Sequence, residues 1–184
     1  MTMWTGRLIS DLDEADERAR RLIDGLSSEQ LNWQPTPSAW SVGQCLDHLC
    51  VMNDVYLPPM EQALDGKLKG TTAEITPGWF GRFFIESFVE PSAKTKRVKS
   101  PEKIAPASSV DGQLLERFLS GNEKVRKLIG RASEYDVNRI RFKNPFIPLI
   151  RFTVGTGLVI VTRHQHRHLL QAERVKAAEA FQEK

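Results

Sequence analysis

The chain has 184 residues, of which 40% are hydrophobic and 27% are charged, and its formal net charge is +3. This length and composition predict one folded domain over residues 1–184 and exclude an intrinsically disordered chain. The charge gives no reason to expect nucleic-acid binding, because most of the excess lies in one basic run, residues 94–99, which is typical of a solvated loop.

The first two predicted helices cover residues 5–26 and 41–65. In the first, apolar residues recur at spacings of four and three, which is typical of an amphipathic helix with one buried face. The second begins with a capping box, in which the side chains of Ser41 and Gln44 each bond to the other residue's backbone amide. The Pro58–Pro59 pair is expected to kink or interrupt this second helix.

Residues 66–108 lack sustained periodicity, which is unusual inside a compact domain. One explanation is a long crossover between two helices that run in the same direction. Residues 77–88 are expected to form a short helix within it. Its aromatic side chains either wall a pocket or belong to the core: Trp79, Phe80, Phe83 and Phe84. A third long helix is predicted over residues 109–131, followed by an irregular link at 135–148.

The last predicted helix covers residues 153–180. Its first turns are rich in β-branched residues and contain Gly155 and Gly157, so propensity alone favours a strand. However, residues 152–158 repeat the pattern of residues 40–46, namely aromatic, hydroxyl, Val, Gly, polar, small and Leu. We therefore predict a helix that begins at a hydroxyl cap. Together the four long helices predict an all-α fold, a four-helix bundle.

Three of the four histidines lie within residues 164–168. His164 and His168 are four residues apart, which places them on one helix face, and they continue the apolar stripe of the last helix. The remaining one, His48, lies beside the apolar face of the second helix. Two inward imidazoles one turn apart repel when protonated and need partners when neutral, and a divalent metal bound by His48, His164 and His168 satisfies both. The alternative is a set of core histidines satisfied by hydrogen bonds.

Imidazole nitrogens suit zinc, nickel, iron or copper, and three of them leave a coordination position open for water or substrate. Gln44 and Gln171 are candidates for residues that do not bind the metal themselves but form hydrogen bonds to the histidines that do. Arg163 and Arg167 flank the histidines and are candidates for binding a carboxylate-bearing substrate. The alternative for all four residues is an ordinary polar surface.

Two nearby residues are not expected to take part in metal binding. His166 is displaced from His164 and His168 around the helix and is expected to face solvent or the rim of the site. Asp47 is expected to point about 100° away from His48. No residue of the sequence therefore identifies itself as a general base, and the catalytic residues stay unknown at this level.

Three motifs carry a resemblance to a known family: Trp-Gln-Pro at 33–35, Trp-Ser-Val-Gly-Gln-Cys-Leu-Asp-His-Leu at 40–49, and His-Gln-His-Arg-His-Leu-Leu-Gln at 164–171. The chain resembles the DinB-like superfamily over nearly its whole length, in particular a branch of small metal-dependent hydrolase-like proteins. This resemblance implies a four-helix bundle in up-down-down-up order, with the long crossover between the second and third helices.

The resemblance also implies that His48, His164 and His168 bind one divalent metal, which is nickel, zinc or iron in relatives. Relatives with known activity include bacillithiol and mycothiol S-transferases and a mycothiol-dependent maleylpyruvate isomerase. DNA binding is not implied. We therefore expect a metal-dependent thiol S-transferase or hydrolase that acts on a small molecule, with a low-molecular-weight thiol as co-substrate in the first case. The alternatives are a non-catalytic metal- or ligand-binding stress protein and a structural bundle with a vestigial site.

The expected location is the cytoplasm. Charged residues interrupt the N-terminus early, and the longest apolar stretch, residues 149–161, contains Arg151 and is too short to span a bilayer. Cys45 and Cys50 lie on one predicted helix where they cannot bridge each other, and reduced thiols suit a reducing compartment. Neither a nucleic-acid nor a membrane partner is expected. A homodimer is an alternative to a monomer, because dimers are frequent among such bundles.

Overall fold

The structure, a computed structural model, describes residues 2–90, 100–147 and 149–182. The basic run at 94–99 lies outside these residues. In chain order, the α-helices are α1 (Met3–Ile23), α2 (Ser28–Asn32), α3 (Val42–Leu64), α4 (Trp79–Phe84), α5 (Leu114–Ala132), α6 (Val154–Lys176) and α7 (Glu179–Gln182). A π-helical segment, Ile85–Val89, continues α4, and a 3-10 turn covers Glu102–Ile104. Two short strands, β1 (Arg141–Lys143) and β2 (Arg151–Thr153), pair antiparallel.

The four long helices pack around a shared core. Helix α3 packs against α5 and α6, and α1 packs against the same two helices, whereas α1 and α3 touch little. The mainly helical architecture confirms the all-α expectation in its coarse form. The predicted apolar stripe of α1 is buried: Leu8, Leu12, Ala15, Ala19 and Leu22. Among the described residues, no helix has the length and apolar composition that crossing a bilayer requires.

A polar layer divides the core. It consists of one side chain from each long helix: Asp16, Asn53, Asn122 and Gln165. The Asn122 amide donates to Asp16 Oδ1 at 2.6 Å and to Gln165 Oε1 at 3.0 Å, while Asn122 Oδ1 accepts from Gln165 at 2.7 Å and from Asn53 at 3.4 Å. One apolar cluster lies on each side of this layer. Because buried polar groups are costly without partners, the layer fixes how the four helices match one another.

Both predicted hydroxyl caps are present. Ser41 Oγ accepts from the Gln44 amide at 3.0 Å, and Gln44 Oε1 accepts from the Ser41 amide at 3.1 Å, so the capping box of α3 is confirmed. Thr153 Oγ1 accepts from the Thr156 amide at 3.1 Å, and α6 begins at the next residue, Val154. The repeated heptapeptide pattern therefore marks two equivalent helix starts.

Several predicted boundaries were wrong. Helix α1 ends at Ile23, three residues before the predicted 26, because Gly25 takes a left-handed conformation with φ of 72°. Helix α5 begins at Leu114 rather than 109, because the Asn32 side chain bonds to both backbone groups of Val110 and holds that segment out of a helix. Helix α3 is continuous through Pro58–Pro59. Pro58 is exposed, so a carbonyl freed there can be hydrated.

The link at 135–148 is not wholly irregular, because β1 lies within it and pairs with β2 just before α6. Phe142 and Phe152 are opposite each other in this ribbon, and both are buried against the helices. Three-residue strands carry too little alternation to be recognised from sequence. At the far end, the predicted 153–180 helix is interrupted after Lys176, and α7 follows as a separate short helix. The predicted short aromatic helix is present as α4 and the π-helical segment.

Candidate metal centre

Three histidines converge where α3 packs against α6. His48 Nε2 and His168 Nε2 each lie 3.1 Å from His164 Nε2. One ring nitrogen from each residue lies within 4.8 Å of the other two. His48 and His168 are buried, and His164 is half-buried as a residue, although its Nδ1 atom is fully covered. The structure therefore brings together all three predicted ligands, and this group can hold a metal ion.

Hydrogen bonds on the outer side of two rings fix which nitrogen carries a proton. His48 Nδ1 lies 2.6 Å from the carbonyl oxygen of Ile104. His168 Nδ1 lies 3.0 Å from Oε1 of Gln171. Because both acceptors are oxygens with the Gln171 amide oriented as it is, both Nδ1 atoms donate in this arrangement. In the neutral rings, Nε2 of His48 and of His168 is then an unprotonated lone pair directed at His164.

Hydrogen bonds alone leave this arrangement unsatisfied. A proton on His164 Nε2 could bond well to only one of the two facing lone pairs, and His164 Nδ1 has no partner among the described residues. A cation among the three nitrogens satisfies all three lone pairs at once. An ion about 2.0–2.1 Å from each nitrogen in tetrahedral geometry would separate the nitrogens by about 3.3–3.4 Å, close to the 3.1 Å that separates His164 Nε2 from each of the other two Nε2 atoms. The residues therefore fit a divalent metal.

The electrostatics of the cluster favour neutral imidazoles. Burial lowers the pKa of His48, and it lowers the pKa of His164 and His168 well below the ordinary value. For His164 and His168, the positive charge that neighbouring histidines and Arg167 would contribute adds to this effect. Neutral imidazole is the form that binds metals, so these pKa shifts prepare the cluster for an ion at neutral pH.

We expect the metal-free protein to lose stability as the pH falls below about 6.5, the ordinary pKa of an unfolded histidine. These rings are harder to protonate in the folded state, so the unfolded state binds more protons. Acidification therefore lowers the free energy of unfolding. Urea unfolding in a chelator between pH 8 and pH 5 measures this. His164→Gln/His168→Gln protein, which lacks two of the titrating rings, should show a weaker dependence. An equal dependence in both proteins would contradict the assignment.

Two side chains enclose the cluster. The Trp40 ring lies with its centroid 4.8 Å from that of His48 and 5.4 Å from that of His168. Arg167 is half-buried, burial lowers its pKa, and its charge acts on all three histidines. Its Nη1 donates to the carbonyl oxygen of Phe88 at 2.8 Å. The predicted role of Arg167 in substrate binding stays a prediction.

The two predicted supporting glutamines lie in different places. Gln171 accepts from His168, as its predicted role requires. Gln44 caps α3 through its side-chain oxygen, which also accepts from Gln34 at 2.9 Å. Its side-chain nitrogen donates to the carbonyl oxygen of Ala107 at 3.1 Å. None of its described bonds goes to a histidine. The role of Gln44 beside the metal stays a prediction.

Arg163 and His166 point away from the cluster. Arg163 pairs with Glu90 and lines a cavity of about 310 Å³ beside α1 and α4. A second cavity of about 410 Å³ lies between α3 and α5. None of the three clustered histidines lines either cavity. The predicted role of Arg163 in substrate binding stays a prediction. His166 Nδ1 lies 3.2 Å from Nη1 of Arg18 in α1. The His166 side chain is 21% exposed, so it is only partly open to solvent.

Sequence reasoning missed the backbone side of the site. The carbonyl of Ile104 that holds His48 comes from the 3-10 turn, and a backbone acceptor leaves no sequence signal. The carboxylate of Asp47 is buried and accepts from the Ala107 amide at 2.8 Å and from Arg117 at 2.9 Å. The sequence offered one indication of this contact: the spacing of Gln44, Asp47 and His48 places all three on one face of α3.

The chain matches the DinB superfamily family model over residues 11–172 and therefore belongs to this superfamily. It is similar to a Bacillus subtilis (strain 168) protein named as the uncharacterized protein YuaE. The two are 28% identical over 172 residues, which is 91% of this chain and 96% of that protein. No solved structure matches the chain significantly.

Proposed function

We propose that this member of the DinB superfamily is a metal-dependent enzyme, a thiol S-transferase or a hydrolase that acts on a small molecule. His48, His164 and His168 would hold one divalent metal, which is zinc, nickel or iron. The observation that carries the proposal is the convergence of three ring nitrogens within 4.8 Å of one another, with Nε2 of His48 and of His168 each 3.1 Å from Nε2 of His164. Bound there, the metal supplies a Lewis acid that lowers the pKa of a water or thiol ligand.

The residues around the histidines support a reaction with an anionic small molecule. The Trp40 ring packs against the rings of His48 and His168 and adds an apolar surface beside the metal ligands. The half-buried guanidinium of Arg167 would bind a carboxylate of the substrate or thiol, and its bond to Phe88 orients it. The proposed partner is therefore a small molecule, with a low-molecular-weight thiol as co-substrate for S-transfer, and not a nucleic acid or membrane.

Three finer statements about the molecule are also proposals. The up-down-down-up order is supported by the two core clusters, because α1 and α6 pass from the first cluster to the second along the chain, while α3 and α5 pass in reverse. A single domain over the whole chain is supported by the long family match. A homodimer and a cytoplasmic location rest on the sequence alone.

The experiment that tests the function starts with protein purified without a nickel column. Zinc-, nickel- and iron-loaded samples are assayed for S-conjugation with a panel of low-molecular-weight thiols and for hydrolysis of esters, amides and lactones. Turnover that requires the metal supports the enzyme. Stoichiometric metal without turnover on any panel favours the second candidate, a non-catalytic metal-binding protein.

If an activity is found, we expect Arg167→Met to raise KM for carboxylate-bearing substrates by about 10–100-fold, the value of a lost hydrogen bond to a charged group. Uncharged analogues should be affected much less. Steady-state kinetics with matched charged and neutral substrates measure the difference. Arg174→Met is the control, because Arg174 is an exposed arginine of the same helix, in its last turn. Equal effects on both substrate types would remove Arg167 from the binding site.

A further inference from the structure

We propose that Asp47 is a positioning residue for His48, acting through the backbone segment 104–108. The inference rests on the proposed function, because it concerns a side chain proposed to hold the metal. The described hydrogen bonds of Asp47 go to Ala107 and Arg117, and none of them goes to a histidine. Its effect on His48 would pass through the Ala107–Asp47 hydrogen bond, the backbone from Ala107 to Ile104, and the His48–Ile104 hydrogen bond.

The first step is the attachment of the segment to α3. Gln44, Asp47 and His48 lie on one face of that helix, and each of them bonds to the segment. His48 Nδ1 donates to the carbonyl oxygen of Ile104 at 2.6 Å. The backbone amide of Ala107 donates to Asp47 Oδ2 at 2.8 Å. The side-chain nitrogen of Gln44, Nε2, donates to the carbonyl oxygen of Ala107 at 3.1 Å.

The second step is the state of Asp47 itself. The residue is only 2% exposed, and burying a carboxylate is costly unless both of its oxygens are bonded. Arg117 supplies one bond from α5, and the Ala107 amide supplies the other. A buried, charged acceptor forms a stronger bond to a backbone amide than a neutral one does. Asp47 therefore ties the segment to the same helix turn that carries His48.

The third step is the consequence for the metal ligand. The Ile104 carbonyl holds the proton of His48 on Nδ1 and so leaves Nε2 free for an ion. Without Asp47, the Ala107 amide loses its acceptor and Ile104 is held less firmly against His48. His48 can then take the tautomer with its proton on Nε2, which leaves no lone pair on the ring nitrogen that faces the other two histidines. Hydrogen-bond partners of metal-binding histidines commonly act in this way.

A merely structural Asp47 would stabilise the fold and leave the proton of His48 in place. Two variants of the full-length chain distinguish the cases. Asp47→Ala removes the acceptor, and Ala107→Pro removes the donor of the same bond while leaving the Asp47–Arg117 pair. The control is Asp16→Asn, which weakens another largely buried carboxylate, paired with Arg126 at 2.7 Å, without touching the segment.

Two readouts are needed. Competition with a chelator measures the affinity for Co²⁺, and ¹⁵N NMR of histidine-labelled, metal-free protein identifies the His48 tautomer, with His48→Gln for assignment. We expect wild-type His48 to carry its proton on Nδ1. In Asp47→Ala and Ala107→Pro protein, Co²⁺ affinity should fall about 10–100-fold and the Nε2–H tautomer should appear. Asp16→Asn protein should lose stability without either change.

The proposal is overturned if whichever of the two variants folds keeps the wild-type tautomer and affinity, or if Asp16→Asn protein shifts the tautomer equally. It is also overturned if wild-type His48 is protonated on Nε2. Wild-type protein that binds no Co²⁺ or Zn²⁺ would contradict the proposed function instead. The tautomer comparison in metal-free protein would still decide the role of Asp47, so the two failures are distinguishable.

Discussion

His48→Ala protein is expected to lose its metal. Three nitrogens from two helices define the site, and removing the one from α3 leaves two ligands on a single helix turn. The affinity should fall by more than the roughly 10–100-fold typical of changes outside the ligand shell. Elemental analysis after purification without a nickel column, followed by chelator competition with Zn²⁺, measures the loss.

The matched control is His166→Ala, which also removes one histidine, from between His164 and His168 on α6. His166 contacts Arg18 and does not belong to the cluster. This protein should keep wild-type metal content. Equal zinc affinity in wild-type and His48→Ala protein would end the three-histidine assignment. A loss of metal in both variants would indicate that the fold as a whole, and not the cluster, is being perturbed.

The second large effect is expected from Gly157→Ala, near the start of α6. A methyl group there would lie 2.5 Å from the sulfur of Met60 and 2.7 Å and 2.8 Å from ring carbons of Phe142. Both neighbours are buried and cannot move aside freely. Overpacking of this kind costs about 1–3 kcal/mol of unfolding free energy. Urea or thermal unfolding of the metal-free protein measures it.

Gly130→Ala provides a control of opposite sign. Gly130 also lies inside a long helix, α5, but a methyl group there would meet nothing within 4 Å. Replacing a helical glycine by alanine should then raise stability by about 0.5–1 kcal/mol. If Gly157→Ala were equally stabilising, the close approach of α6, α3 and the β1–β2 ribbon would be looser than described.

The elements that follow from the sequence are those with a local physical cause. The caps at Ser41 and Thr153 were predictable, because a hydroxyl before a helical run bonds to the amide three residues later. The spacing of His164 and His168 likewise fixes a shared helix face. That His48 meets them could be inferred only by combining apolar faces with a family resemblance.

The missed features depend on contacts between distant residues. The late start of α5 is set by Asn32, far earlier in the chain, and the β1–β2 ribbon by pairing across a turn. The bond between Ile104 and His48 joins a backbone carbonyl to a side chain 56 residues away. Such contacts have no periodicity, so pattern analysis has nothing to detect.

The polar layer has a consequence for how this protein can vary. Asn122 alone links Asp16, Asn53 and Gln165, so each of these side chains depends on a partner contributed by another helix. A single replacement at Asn122 would leave the buried side chains of Asn53 and Gln165 without the partner described here, and it would remove one bond from Asp16, which keeps its bond to Arg126. We infer that these four positions can be exchanged as a set by evolution or design, but seldom one at a time.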